Sequence, residues 1–296
     1  MSICNECSLQ PYEAVTTIRV GLIGDPAVQS FHALLQQAAF DALGITAHYE
    51  LWYTPPTKLV ERVRALCEKG SLGANVSLPY KQVIIPLLDR VDTIAARIGA
   101  VNTIVQHDDY LYGYNTEATS LLHALIEQGI GTQDNEQVSL KGHTVILLGA
   151  GAAARCAAFA LTSANVERLI IFNRNLERAQ RLAADVQQYY DGPVFSLNDP
   201  NFLIPHSSSI IINATVIGMH EDGSPLPPEV LTRFDGDTFV YDMIFNPTQT
   251  LLLCQARIMG LRCANGLSIL LHQAALAFTL WTGKPAPLDS MRAALL

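Results

Sequence analysis

At 296 residues, 49% hydrophobic and 16% charged, the chain has the apolar material for two buried cores. Its formal charge of −8 argues against nucleic acid or an anionic membrane as the main partner, while leaving small anions to local arginines and helix ends. With no apolar run of about eighteen residues and no basic-then-apolar leader in residues 1–10, the expectation is a cytoplasmic protein without a membrane span.

The chain opens with a tail in which Cys4 and Cys7 find no second pair at metal spacing, so they read as reduced thiols. Residues 18–24 predict a strand, broken by Gly24-Asp25-Pro26, and residues 31–43 have helical spacing that ends at Gly44. A second strand is expected over 46–52, a helix over 57–69 closed by Gly70, and a third strand over 73–77. This alternation predicts a mostly parallel sheet with helices on its faces. Residues 79–89 and 91–98 read as helices, 101–105 and 110–112 as short strands, and 117–128 as a helix before a polar loop at 131–141.

Residues 145–148 are a short apolar run, the pattern of a strand buried on both faces. Gly149-Ala150-Gly151-Ala152-Ala153-Ala154 then turns directly into an alanine-rich helical segment through about residue 162. Strand, glycine turn and helix in that order lift a GxGxxG/A match above chance and point to a dinucleotide. Gly149 permits the tight turn and Gly151 clears the approach of a pyrophosphate, which the free N–H groups of the helix N-terminus then face. The following strand, 168–172, ends at Asn173, where an NAD enzyme usually carries Asp or Glu for the ribose 2′-hydroxyl. A neutral amide followed by Arg174 and Arg178 suits a 2′-phosphate instead, so NADP is the expected cofactor.

Further on, 176–188 reads as a helix, 209–213 as a buried strand and 218–228 as a Pro/Gly-rich loop. A strand at 239–241 and helices at 249–259, 266–282 and 288–296 complete the chain. The fold class is therefore α/β, with two open sheets in separate domains and a substrate cleft between them.

Three polar clusters need a reason. Asn75-Val-Ser77-Leu-Pro-Tyr-Lys81 places an amide, a hydroxyl and a lysine at the end of a buried strand, where ligands of open α/β sheets gather. Asn102-Thr103 and Asn115-Thr116-Glu117 add amides, hydroxyls and a carboxylate. A lysine beside a carboxylate can exchange a proton with an alcohol while hydride leaves for a nicotinamide.

Taken in order, these motifs resemble the shikimate dehydrogenases, over about residues 19–283. The likeness comprises Gly24-x-Pro26 with Ser30, Asn75-Val-Ser-x-Pro-x-Lys81, Gly99-Ala-Val-Asn-Thr103, Gly113-x-Asn-Thr-Glu117, the glycine turn and Asn173-Arg174. It continues through Ile212-Asn-Ala-Thr215-x-x-Gly-Met219, Tyr241-Asp-Met243, Thr250, and Asn265-Gly266-Leu with Gln273. The resemblance implies a substrate-binding domain of residues 1–116 plus 266–296, with the C-terminal helices returning to it, and a Rossmann NADP-binding domain over 117–265. It implies reversible reduction of a keto group on a hydroxylated cyclohexene carboxylate. The expected assembly is a monomer or homodimer. Lys81 matches the family's catalytic lysine and Glu117 its catalytic carboxylate. Ser30, Asn75, Ser77, Asn102 and Gln273 fall where the family contacts substrate, and Thr215, Met243 and Gly266 fall on the cofactor side.

Three positions depart from the family pattern. The family's aspartate is Glu117 here, one methylene longer, an extension of about 1.5 Å. The paired serines that hold the substrate carboxylate read Ser30-Phe-His32, so an imidazole replaces one hydroxyl. A tyrosine that commonly reaches the substrate is Phe245. The expectation is an NADP-dependent oxidoreductase acting on 3-dehydroshikimate through an altered pocket, or on a related hydroxylated or amino ring acid. A ligand sensor that keeps the fold without turnover is the other reading, and Lys81 with Glu117 weighs against it.

Overall fold

The structure, a computed structural model, describes residues 18–25, 31–108, 110–134, 137–206, 208–220 and 222–295. Cys4, Cys7, Pro26 and Ser30 lie outside the described residues. The first sheet begins with β1 (Ile18–Gly24), whose last five residues are buried. The chain crosses through α1 (Phe31–Ala42) and returns parallel as β2 (Ala47–Tyr53). The helix expected over 57–69 is shorter: α2 (Leu59–Arg64) lies between two 3-10 turns. Then β3 (Ser71–Val76) pairs parallel with β1.

The helix expected over 79–89 does not form; residues 78–84 are turns and Ile85–Leu87 is a 3-10 turn. Pro86 has no N–H to give, and in an α-helix its ring would strike the carbonyl of Gln82. The next expected helix begins as a short strand, β4 (Arg90–Val91), and only Thr93–Ile98 is helical, α3. The Asp92 carboxylate caps α3 by accepting from the Ile94 and Ala95 N–H groups, and Gly99 at φ 75° ends it. β5 (Thr103–His107) and β6 (Tyr110–Tyr114) pair antiparallel, and the order is β2-β1-β3-β5-β6-β4. The sheet is thus parallel at β2-β1-β3 and mixed beyond it, because a tight hairpin joins only antiparallel strands.

Helix α4 (Thr116–Glu127) leads to the second sheet. Where the sequence reads as loop, β7 (Thr132–Asp134) and β8 (Gln137–Ser139) form a small hairpin. Next come β9 (Thr144–Leu148), α5 (Ala152–Ser163), β10 (Arg168–Phe172) and α6 (Leu176–Gln187). An edge strand the sequence did not signal follows, β11 (Val194–Leu197), then β12 (Ser209–Asn213) and a short α7 (Pro228–Leu231). β13 (Phe239–Asp242), α8 (Leu251–Ile258) and a second unsignalled edge strand, β14 (Arg262–Ala264), complete the sheet. All its strands are parallel, in the order β11-β10-β9-β12-β13-β14. The chain moves outward from β9 to β11 and then crosses to β12, so the strand order reverses between β9 and β12. Ligands of such sheets bind outside the carboxyl ends at that reversal.

Two helices close the fold, α9 (Leu267–Thr282) and α10 (Leu288–Ala293). α9 buries Leu270, Leu271, Ala274 and Phe278 with Leu35 and Phe40 of α1, on the first sheet. Two buried hydrogen bonds fix it there: Trp281 Nε1 donates to the Ile104 carbonyl at 2.9 Å, and Gln36 Nε2 to the Ala274 carbonyl at 2.8 Å. Ile269, near the start of the same helix, joins the core of the second sheet with Leu121 and Leu125 of α4. α4 and α9 thereby brace one sheet against the other. Among the described residues no helix is long and apolar enough to cross a membrane.

Candidate active site

The end of β3 delivers the first polar group, and the turn after it delivers the second. Lys81 is held by its own carbonyl, which accepts from the Val101 N–H at 2.7 Å. Across from it α4 starts at Asn115, whose Oδ1 accepts from the Ala118 N–H at 3.1 Å while its Nδ2 donates to the Ala100 carbonyl at 3.0 Å. That cap sets Glu117 in the first turn of α4, where the helix dipole favours a carboxylate. Lys81 Nζ donates to Glu117 Oε2 at 2.7 Å, with 24% and 17% of the two side chains exposed, so the pair is shielded but not sealed. Burial alone would lower the lysine, but the charge and hydrogen bond of Glu117 outweigh it and the net shift is upward. Lys81 is therefore an ammonium at neutral pH.

Glu117 also lines an open cleft of about 220 Å³ between the sheets. Phe245, Gln273, Ala153, Thr215, Met243 and Gly266 line it with Glu117. Residues that the sequence singles out for substrate and for cofactor thus share one space. His32, on α1, lies within electrostatic reach of Lys81 and Glu117; burial first, and then Lys81, push it down to about 4. It is neutral at pH 7. Phe31 meets Phe245 edge-to-face at 5.7 Å, which ties the start of α1 to the cleft wall.

Asn75, Ser77 and Asn102 stand at neighbouring strand ends. The Asn75 amide is engaged on both sides: Oδ1 accepts from the Tyr49 hydroxyl at 2.8 Å, and Nδ2 donates to Thr103 Oγ1 at 3.2 Å. Ser77 is half-buried, with its N–H donating to the Ile23 carbonyl. Asn102 Oδ1 accepts from the Thr116 N–H at 2.8 Å. Tyr49 carries no local sequence signal; it lies on β2, 26 residues before its partner.

On the nucleotide side, Gly149 has φ 114°, and a Cβ there would stand 3.1 Å from the Ala214 carbonyl, so only glycine serves. Gly151 differs: a Cβ on it would meet nothing within 4 Å, and α5 begins there without a side-chain cap. Open space before four uncapped N–H groups fits a pyrophosphate. Ala150 and Ala152 complete the turn. Asn173 folds its amide back to the Asn175 carbonyl at 2.8 Å. Arg174 and Arg178 are exposed and, unlike Arg181 with Glu177, enter no ion pair among the described residues. They are available to a 2′-phosphate.

A buried network sets the part of the cleft lined by Thr215 and Met243. The Asp242 carboxylate, fully buried at the end of β13, accepts from Asn213 Nδ2 at 3.0 Å, the Ile244 N–H at 3.1 Å and Thr250 Oγ1 at 2.6 Å. Asn213 Oδ1 in turn accepts from Thr215 N–H and Oγ1 at 3.0 and 2.8 Å. The strand ends carrying Thr215 and Met243 are thus locked side by side. Gly266 permits its backbone to press on the Met243 carbonyl, which a Cβ would strike.

A glycine turn at the strand-order reversal of a parallel sheet, opening a helix whose Ala153 lines the same cleft as the Glu117 of a lysine–carboxylate pair, defines a two-sheet NADP-dependent oxidoreductase. Comparison with known proteins narrows this class. Residues 22–104 match the shikimate dehydrogenase substrate binding domain, 132–217 the shikimate/quinate 5-dehydrogenase family, and 266–296 the shikimate 5′-dehydrogenase C-terminal domain. A shikimate dehydrogenase (NADP(+)) of Moorella thermoacetica is 40% identical over 277 residues, covering 92% of this chain and 90% of that one. The shikimate 5-dehydrogenase of Thermus thermophilus, solved with NADP(H) and shikimate, superposes with a TM-score of 0.79 at 32% identity, over 94% of this chain and 98% of that one. The ligand-free 5-ketofructose reductase of a Gluconobacter strain gives 0.86 at 26% identity, over 95% and 99%. The chain belongs to the shikimate dehydrogenase family.

Proposed function

We propose that the protein interconverts 3-dehydroshikimate and shikimate, or a closely related ring acid, with NADPH and NADP. Residues 1–116 with 266–296 serve the substrate, and residues 117–265 serve the cofactor. The observation that carries the reading is the Lys81–Glu117 pair at 2.7 Å, with Glu117 on the same cleft as Ala153, Thr215, Met243 and Gly266.

When bound, NADPH supplies a hydride. Lys81 supplies the proton that the developing alkoxide needs, because its ammonium form is the one the fold favours. Glu117 orients that ammonium and holds the counter-charge as the proton leaves. In the oxidative direction the same atoms work in reverse, with Lys81 accepting the hydroxyl proton. Gly151 leaves room for the pyrophosphate, Arg174 and Arg178 take the 2′-phosphate, and Gln273 and Phe245 bound the ring. His32, neutral at pH 7, meets the ring carboxylate as a hydrogen-bond donor rather than as a cation. The pair favours turnover over ligand sensing, since a sensor has no use for a buried proton donor.

The test is the initial rate of NADP reduction with shikimate, quinate and non-carboxylate polyols as substrates. Shikimate with NADP should give the highest kcat/KM. A preference for a polyol, or for NAD, sinks the proposal.

A further inference from the structure

We propose that Arg155 is a positioning residue, which ties the first turn of the cofactor helix to the chain segment that registers Lys81 against Glu117. This deepens the proposed function and rests on it. Arg155 lies in the first turn of α5, and its N–H donates to the Gly151 carbonyl at 2.9 Å, so its backbone is joined to the glycine turn. Its side chain leaves that turn for α3, on the substrate side. Nε donates to the Ile98 carbonyl at 2.5 Å and Nη2 to the Arg97 carbonyl at 3.3 Å. Both carbonyls belong to the last turn of α3, where the helix has no N–H of its own to offer them. Nη1 pairs with the Asp185 carboxylate of α6, and the guanidinium lies over Phe159, 5.0 Å from the ring centroid. Each of its three nitrogens is engaged, so Arg155, unlike Arg174 and Arg178, is not on offer to a phosphate.

The segment it holds runs directly into the site. The Ala100 carbonyl accepts from Asn115 Nδ2 at 3.0 Å, and Asn115 is the cap that sets Glu117 in α4. Val101, the next residue, donates its N–H to the Lys81 carbonyl at 2.7 Å. Cys156, beside Arg155 on α5, adds a second tether, since its Sγ accepts from the same Asn115 Nδ2 at 3.6 Å. Arg97 in turn stacks over Tyr189, just beyond α6, at 4.8 Å, so the end of α3 is docked on that side as well.

One helical turn thus faces the pyrophosphate with its backbone and, through two successive side chains, holds the segments carrying the proton donor and its carboxylate. Hydride and proton must reach one substrate, and a misplacement of about 1 Å can cost about a hundredfold in rate. The guanidinium fork spans two carbonyls and a carboxylate at once. A lysine in its place is a point donor, able to reach one of them.

The experiment compares the parent with Arg155→Met, Arg155→Lys and Asp185→Asn in 3-dehydroshikimate reduction at saturating substrates, from pH 6 to about 11, with the NADPH Kd from fluorescence titration. Arg155→Met should lower kcat at least about tenfold and leave the NADPH Kd within about threefold. The basic limb of its pH profile should move acidward, because a loosened pair holds Lys81 less far above its ordinary value. Glu117, His32 and Cys156 are the titratable groups in electrostatic reach of Lys81, and Glu117 has the largest effect on it. Removing the Arg155 charge alone would move the limb the other way, since a nearby cation disfavours an ammonium. Arg155→Lys should fall between Met and the parent in both readings. Asp185→Asn spares both carbonyl bonds and should stay within about threefold of the parent kcat, because a partly exposed ion pair contributes little. A folded Arg155→Met with the parental kcat, a limb that stays or moves alkaline, or an NADPH Kd that rises as far as kcat falls overturns the inference while the proposed function stands. An Asp185→Asn loss equal to that of Arg155→Met does the same, by making the ion pair the cause. If Arg155→Met does not fold, Arg155→Lys decides, and parental values in it overturn the inference. A parent that does not reduce 3-dehydroshikimate defeats the proposed function and this inference with it.

Discussion

Glu117→Asp is the most informative change, because the family pattern and the structure pull in opposite directions. Family resemblance alone suggests that restoring aspartate improves the site. The structure says otherwise: the longer carboxylate already meets Lys81 Nζ at 2.7 Å, a normal charge-assisted distance. Removing one methylene withdraws the carboxylate by about 1.5 Å unless the backbone of α4 follows. α4 is pinned by the Asn115 cap and by Leu121 and Leu125, both fully buried, so it has little freedom to follow. A lost hydrogen bond between charged partners is worth about 1.5–3 kcal/mol, so kcat/KM should fall about ten- to a hundredfold. The pH profile gives a second reading. Glu117 is what holds Lys81 above its ordinary value, against burial. Reduction needs the ammonium, so its rate falls as pH rises through the Lys81 pKa. In the parent that fall should come above the ordinary lysine range, and in Glu117→Gln it should move to lower pH. Rates of 3-dehydroshikimate reduction between pH 6 and about 11 measure both effects. A Glu117→Asp enzyme that matches or exceeds the parent, or a Glu117→Gln limb that does not move acidward, refutes the argument.

Gly151→Ala should cost only about 1 kcal/mol of stability, the loss of a favourable N-cap with no atom within 4 Å of the added Cβ, yet raise the NADP Kd by at least about tenfold by intruding on the pyrophosphate approach. Intact NADP binding would mean that the turn is not the phosphate site. Arg174→Ala with Arg178→Ala should weaken NADP by about ten- to a hundredfold and NAD by less than about twofold, read by calorimetric titration. Equal losses would remove the 2′-phosphate assignment. His32 bears on stability at acid pH. Its value is about 4 in the fold against an ordinary 6.5, so as pH falls across that window the unfolded chain takes up a proton that the native state refuses. Stability is kept above pH 6.5 and lost toward pH 4, by at most about 3 kcal/mol. Denaturation of His32→Phe at pH 7 and pH 4.5 should show a shallower decline than the parent, and an identical decline would contradict the burial argument.

The glycine turn was legible because its chemistry is local: β9, the turn and α5 lie within twenty residues, and each glycine answers a backbone need. The pairing of Lys81 with Glu117 was legible only in part, since their separation of 36 residues is bridged by sheet register rather than by spacing. What the sequence hid has physical reasons. β11 and β14 are edge strands without a continuous buried run, so periodicity gives them no signal. Residues 79–89 look helical by composition, and Pro86 overrules that. Tyr49 reads as an ordinary strand aromatic, and only tertiary structure sets its hydroxyl on Asn75. The polarity of the Asn102 amide is likewise invisible until the Thr116 N–H is seen beside it.

Lys81 as the proton donor for a hydride transfer made between the two sheets is tested by its removal. The kcat for 3-dehydroshikimate reduction by Lys81→Met should be measured at saturating NADPH, alongside the Kd for NADPH by fluorescence titration. Loss of a positioned general acid should lower kcat by about a hundred- to ten-thousandfold while the NADPH Kd stays within about twofold of the parent. A folded Lys81→Met protein that retains the parental kcat would contradict the account.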